Sequence, residues 1–156
     1  SWHLHAVIDD IGAHVDDIHS GMNVTLKLPI VKIHDKRYSL GLDAEEKAEF
    51  LAEMRQMLTT IQQIMTGIAT KDKDMIINAA RYSGNKMARA TPQSVKDKTP
   101  VSFEQIGGPT HMMFEELIIN VEEMDLDDLD DITDLAELTG KLMRNCLACH
   151  AAFKVD

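Results

Sequence analysis

Residues 127–153 read DDLDDITDLAELTGKLMRNCLACHAAF, and the prediction of the fold starts from this stretch. Apolar side chains recur along it at intervals of three or four residues, which places them on one stripe of an α-helix. The acidic residues at its start suit the positive end of a helix dipole. The stretch therefore predicts a long amphipathic helix at the C-terminal end, with an inner stripe of Ile132, Leu135, Leu138, Leu142, Met143, Cys146, His150 and Phe153.

Three upstream segments show the same periodicity. A helix is predicted at 44–69, because Asp43 is suited to the N-cap and Glu46 completes a box-like start. Further helices are predicted at 73–90, ended by Pro92, and at 110–124, with a loop at 91–109 between them. Four long amphipathic helices with mostly short connections predict an all-α protein, built as an antiparallel four-helix bundle over residues 43–156. The stripe of the first helix is Phe50, Leu51, Met54, Met57, Leu58, Ile61, Ile64, Met65 and Ile68.

Residues 1–42 are predicted to form a separate N-terminal region, with a helix at 3–20 and an extended arm at 21–42. The helix has a continuous apolar stripe from Leu4 to Ile18. Because a monomer seldom exposes so long an apolar surface, we expect the region to pack on its own bundle or on another subunit. The second arrangement is favoured, which predicts a homodimer or complex subunit formed through residues 1–42.

The charge of the chain restricts its partners. Its 156 residues carry a formal net charge of −10, which disfavours nucleic acid and favours a partner with a basic docking surface. No apolar run approaches the roughly 18 residues of a membrane span, so no span is predicted. The histidines and aspartates of helix 3–20 are expected to form a solvated polar face, with a metal site as the alternative.

The chain has two cysteines, Cys146 and Cys149, and His150 follows directly. This is the C-x-x-C-H pattern of c-type haem attachment. Two thiols at this spacing share one helical face, within reach of the two vinyl groups of one haem, and the adjacent imidazole can ligate the iron. A structural disulfide within one helix is poorly placed, and two cysteines are too few for a four-cysteine zinc site. The motif predicts one covalently bound haem c.

The motif does not identify the distal ligand, which would bind the iron opposite His150. Met54, Met57 and Met65 all lie on the apolar side of helix 44–69, where a methionine stripe is more often core than ligand. Phe114 is expected to line the haem pocket from helix 110–124. His111 starts that helix, where a structural role is favoured over contact with the haem edge.

The segment CLACHAAF at the end of a predicted four-helix bundle resembles the cytochrome c-prime family, the class II cytochromes c. MARATPQSVKDKTP followed by FEQIGGPTHMMFEEL is similar to the corresponding region of the soluble b-type bundle cytochrome. This resemblance covers residues 43–156 and implies His150 as the proximal ligand. It also implies Met54 as the distal ligand, on an alignment without gaps from Met54 to Pro92, and Met57 one turn later is the alternative.

His/Met ligation implies a non-enzymatic cytochrome that transfers electrons. The alternative is a five-coordinate protein of the c-prime type that binds or senses nitric oxide or carbon monoxide. The resemblance also implies a periplasmic or other extracytoplasmic location, reached after removal of a signal peptide.

Overall fold

The computed structural model describes residues 35–156, and nearly all regular structure within that range is helical. The elements are β1 (Tyr38–Ser39), α1 (Ala44–Thr70), α2 (Lys73–Ser83), α3 (Asn85–Ala90), α4 (Gln93–Lys98), α5 (Val101–Glu123), α6 (Leu129–Ala152) and β2 (Phe153–Lys154). The all-α class is confirmed for this range. The predicted helix 3–20 and its histidines, and residues 21–34 of the predicted arm, lie outside the described residues.

Helix α1 begins at a capping box, as its sequence predicts. The Asp43 carboxylate accepts hydrogen bonds from the amides of Glu45 and Glu46, both at 3.0 Å, and the Glu46 carboxylate accepts one from the Asp43 amide at 3.0 Å. At the other end Lys71 adopts φ 58°, and its amide donates to the carbonyls of Gly67 and Ile68. These caps satisfy backbone groups that a helix end leaves unpaired. The predicted range 44–69 therefore agrees with the observed helix.

The start of α1 is tied to the end of α4 through Lys98. Its ammonium donates to the buried Glu46 carboxylate and lies 3.9 Å from Asp43. The hydrogen bond from Lys98, together with those from the Asp43 amide and Ser94, lowers the pKa of Glu46 to about 2. The start of α1 and the end of α4 are thus joined by a charge pair in which Glu46 is buried and Lys98 is partly exposed.

This pair predicts a loss of stability in acid. Because folding lowers the Glu46 pKa from 4.5 to about 2, its stabilising contribution is complete above pH 4.5 and disappears as the pH falls toward 2. We expect Glu46→Gln to flatten the fall in unfolding free energy across that window, as measured by urea unfolding at a series of pH values. Glu45→Gln is the control, because Glu45 is an exposed carboxylate in the same turn. Equal pH dependence in the Glu46→Gln and unmodified proteins would contradict the assignment.

The long helices pack in chain order around an apolar core. Helix α1 contacts α2, α2 contacts α5, and α5 contacts α6, while the short α3 contacts α2 and α5. Polar groups inside this core are paired: the Thr60 and Ser83 hydroxyls lie 2.8 Å apart, and Thr60 donates to the Ala79 carbonyl at 3.2 Å. The fully buried apolar side chains of the core are Ile64, Ile76, Ala80, Phe114, Leu117, Val121, Leu135 and Leu142.

Two of the predicted helix boundaries are wrong. The predicted helix 73–90 is interrupted at Gly84, where a Cβ atom would lie 2.2 Å from Oε1 of Glu115. That carboxylate accepts from the Asn85 amide at 2.7 Å and so starts α3. The predicted loop 91–109 contains α4 and the first two turns of α5, and α5 continues through Pro109.

A short parallel pairing joins β1 to the C-terminal end of the chain. Tyr38 pairs with Phe153 and Ser39 with Lys154, and the Leu40 amide donates to the Lys154 carbonyl at 3.0 Å. Leu40 is buried. The compact unit that the structure describes runs from Lys36 to Asp156, so it includes residues 36–42 of the predicted arm.

Candidate functional site

An apolar cavity of about 670 Å³ lies between α1, α5 and α6. Residues of α3, α4 and the turn between them complete its wall. Its volume falls in the range of small-molecule and cofactor sites, roughly 300–1,000 Å³. A smaller lobe of about 240 Å³ shares six wall residues with it, namely Phe50, Leu51, Met54, Phe103, Cys149 and His150.

The three residues of the C-x-x-C-H motif all line the main cavity. Cys146 and Cys149 are half-buried free thiols on the last turns of α6. Burial raises the pKa of both thiols, and for Cys149 the neighbouring Cys146 adds to the effect. Both sulfurs are therefore protonated at neutral pH. Both residues line the cavity, and the Cys146 thiol also donates to the Leu142 carbonyl, with sulfur and oxygen 3.8 Å apart.

His150 was predicted on the inner stripe, but its side chain lies at the cavity rim and is largely exposed. It borders both lobes of the cavity. Its backbone carbonyl accepts a hydrogen bond from Arg37 at 3.2 Å. His150 therefore borders the cavity and is also accessible to water.

The predicted methionines differ in their relation to His150. Met54 lines both lobes, as His150 does, whereas Met57 lines the larger lobe alone. Met65 is 52% exposed and is not a wall residue. Of the three candidates, Met54 is the one that shares both spaces with the histidine.

Several side chains predicted on inner stripes are exposed, which corrects that part of the sequence prediction. Leu58 on α1 is 69% exposed and Met143 on α6 is 44% exposed. Both line the cavity together with the exposed Leu147. Helices α1 and α6 both line the cavity and are not among the closely packed helix pairs, so these side chains border the cavity and are not covered by the other helix.

Phe114 is not a wall residue of either lobe. It is fully buried in the core, so it corrects the prediction that it lines the pocket. The aromatic wall is supplied by Phe50 and Phe103, whose ring centroids are 5.9 Å apart. Phe103 also stacks edge-to-face on Phe153 at 5.3 Å. Residues 101–106 were predicted in a loop, which is why sequence periodicity did not find this ring.

Helix α5 presents bare backbone to the cavity at Gly107 and Gly108. A Cβ at Gly108 would meet no atom within 4 Å, and one at Gly107 would meet only the Phe103 ring at 3.8 Å. Both glycines are wall residues, so side chains there would occupy cavity space. The wall is thus shaped to admit a group that approaches the helix backbone closely.

The surface of this wall is mainly apolar, although several polar and charged residues contribute to it. His111 lies within α5 rather than at its start, and its Nδ1 is 2.6 Å from the Ser83 carbonyl. A carbonyl only accepts, so Nδ1 carries the proton and a neutral ring keeps the lone pair on Nε2. Glu53 is a half-buried carboxyl of the wall, and its pKa is raised by burial and by Glu49. Arg55 and Lys96 are cationic residues of the larger lobe.

The comparisons with known proteins add no identification. Neither a family model, a curated protein nor a solved structure matches this chain. Within residues 35–156, no cluster of three or more histidine, cysteine or acidic side chains is arranged to hold a metal ion. None of the helices described there is long and apolar enough to cross a membrane.

Proposed function

We propose that the chain is a single-haem c-type cytochrome that transfers electrons. The observation that carries this proposal is the shared cavity of Cys146, Cys149, His150 and Met54. Two thiols, one imidazole and one thioether open on a single apolar space of cofactor size. In such a cytochrome the protein side chains hold the haem and carry out no catalytic step.

The wall residues fit a covalently held haem. Cys146 and Cys149 would hold it through thioethers, His150 would be the proximal ligand and Met54 the distal ligand. The backbone at Gly107 and Gly108 leaves room for the edge of a flat ring. Arg55 and Lys96 are wall cations suited to its carboxylates. When bound, the haem supplies a one-electron redox couple, and His/Met ligation favours a raised potential.

We also propose that α1, α2, α5 and α6 form an antiparallel four-helix bundle related to the cytochrome c-prime family. The support is their packing in chain order and the position of the motif in the last helix. The cavity lies where α1 faces α6, so its ligands would come from the first and last helices of the bundle.

Partners and location follow from the same proposal. The net charge of −10 favours a redox partner with a basic docking surface. Thioether attachment to such motifs takes place outside the cytoplasm, so we propose a periplasmic location. Of the predicted region 1–42, the part that precedes the compact unit is proposed to carry a contact with a second copy or with a larger complex.

Absorption spectroscopy tests the proposal most directly. The chain is exported in a bacterium that has a haem-attachment system, purified, and measured in its oxidised and reduced states. We expect one haem per chain, a pyridine haemochrome spectrum of the thioether type, and low-spin iron in both states. A colourless protein that remains folded by circular dichroism would contradict the proposal.

A further inference from the structure

Arg37 lies beside the end of α6 that carries the haem motif. Its Nη1 donates to the His150 carbonyl at 3.2 Å and to the Phe153 carbonyl at 3.5 Å. The last carbonyls of a helix have no intrahelical donor, so a cationic side chain at this position both pairs them and offsets their negative charge. The residue acts on the backbone of the proposed ligand and does not contact the imidazole in these interactions.

Arg37 is held in place by the residues that follow it. Tyr38 and Ser39 pair with Phe153 and Lys154, and the Tyr38 ring packs edge-to-face on Phe153 with centroids 6.3 Å apart. Leu40 then enters the core with 3% of its surface exposed. Residues 37–40, which we call the clasp, are therefore attached to the C-terminal end of the chain by backbone and side-chain contacts.

The clasp also forms part of the cavity wall. Arg37 and Leu40 line the smaller lobe together with Met54, Cys149 and His150. Arg37 thus lines the same lobe as the two proposed iron ligands. The C-terminal end of a helix bears a partial negative charge, which by itself would favour the oxidised iron. A fixed positive charge at this end opposes that effect.

We infer that Arg37 is a positioning residue for the proposed haem: it orders the turn that carries His150, and its charge raises the reduction potential. This inference rests on the proposed function. The C-x-x-C-H motif and Met54 would supply the bonds to the haem. Arg37 would change the reduction potential of the iron without being one of its ligands.

The test compares Arg37→Gln and Arg37→Lys with Lys36→Gln, which removes the same charge from the adjacent exposed residue. The first readout is hydrogen exchange at the amides of residues 150–153, measured with and without attached haem. Losing the hydrogen bond to the His150 carbonyl, the shorter of the two, predicts roughly fivefold faster exchange in Arg37→Gln. The second readout is the reduction potential of the haem protein, which should fall in Arg37→Gln, stay close to the original in Arg37→Lys, and fall less in Lys36→Gln.

The two readouts separate the possible failures. Unchanged exchange in Arg37→Gln overturns the positioning role, whether or not haem is present. An equal fall in potential in Arg37→Gln and Lys36→Gln overturns the specific electrostatic role. A folded chain that takes up no haem overturns the proposed function, while its exchange rates still decide whether Arg37 orders the end of α6.

Discussion

Acid–acetone extraction of the haem protein should leave the colour with the polypeptide, and replacing both cysteines by alanine should make nearly all of it extractable. The unmodified protein should retain almost all of its haem, and the double variant should release almost all of it. Cys146 and Cys149 are thiols of one cavity wall, so both are available to the proposed haem. Extraction followed by the mass of the intact chain measures the result.

Thioether formation with a haem vinyl group starts from a protonated thiol. Burial raises the pKa of both cysteine thiols, which keeps them as S–H groups at neutral pH. A thioether forms when S–H adds across a vinyl double bond: sulfur bonds one carbon, and the hydrogen goes to the other. The addition involves no net oxidation or reduction, so it requires no electron acceptor.

The single variants Cys146→Ala and Cys149→Ala are the matched controls. Each keeps one thiol, so each should retain its colour through one thioether. Loss of colour from one single variant alone would identify that sulfur as the only attachment point. Colour that extracts from the unmodified protein would contradict covalent attachment altogether.

The prediction of helices succeeded where local signals agree. Helix α1 has a capping box at Asp43 and Glu46, a long apolar stripe and no interior proline, and its predicted range was correct. Helix α6 combines an N-cap at Asp128 with early acidic residues and an apolar stripe, and it ends at Ala152, one residue before the predicted end. In both helices the cap and the periodicity point to the same boundaries.

Prediction failed where tertiary contacts override local preference. Gly107, Gly108 and Pro109 indicate a loop in sequence, yet they lie inside α5, which begins eight residues before Pro109. The clasp is recognisable only in three dimensions, because a two-residue strand has no periodicity and its partner lies at the other end of the chain.

The sequence predicted some residues of the candidate site correctly and placed others wrongly. The motif identified Cys146, Cys149 and His150 directly, and the cavity brings Met54 to them. A helical stripe does not distinguish a side chain in a solid core from one at a cavity, which is why Leu58 and Met143 were predicted to be buried. The same limit explains Phe114: its position on the inner stripe of α5 is correct, but the cavity lies beside other residues of that helix.

Met54→Ala should convert low-spin, six-coordinate iron to high-spin iron with an open position. Met54 borders both lobes of the cavity that His150 borders, so its thioether is the methionine sulfur best placed for the opposite side of the iron. We expect the weak near-red sulfur-to-iron band to disappear and carbon monoxide or nitric oxide to bind readily. His/Met ligation raises the haem potential, so the potential should also fall. Absorption spectra of both oxidation states, gas titration and potentiometry measure these effects.

Met57→Ala and Met65→Ala are the controls on the same helix. Met57 lines only the larger lobe, and Met65 is exposed and away from the wall, so both variants should keep the low-spin spectrum. Truncating half-buried Met54 should cost about 2 kcal/mol of stability, near the lower end for methionine-to-alanine changes, so a thermal melt must show that the variant stays folded. If Met57→Ala were high-spin and Met54→Ala low-spin, the distal ligand would be Met57, one helical turn later. High-spin iron in the unmodified protein would instead favour the alternative, a five-coordinate cytochrome that binds small gases, because no methionine would then occupy the distal position.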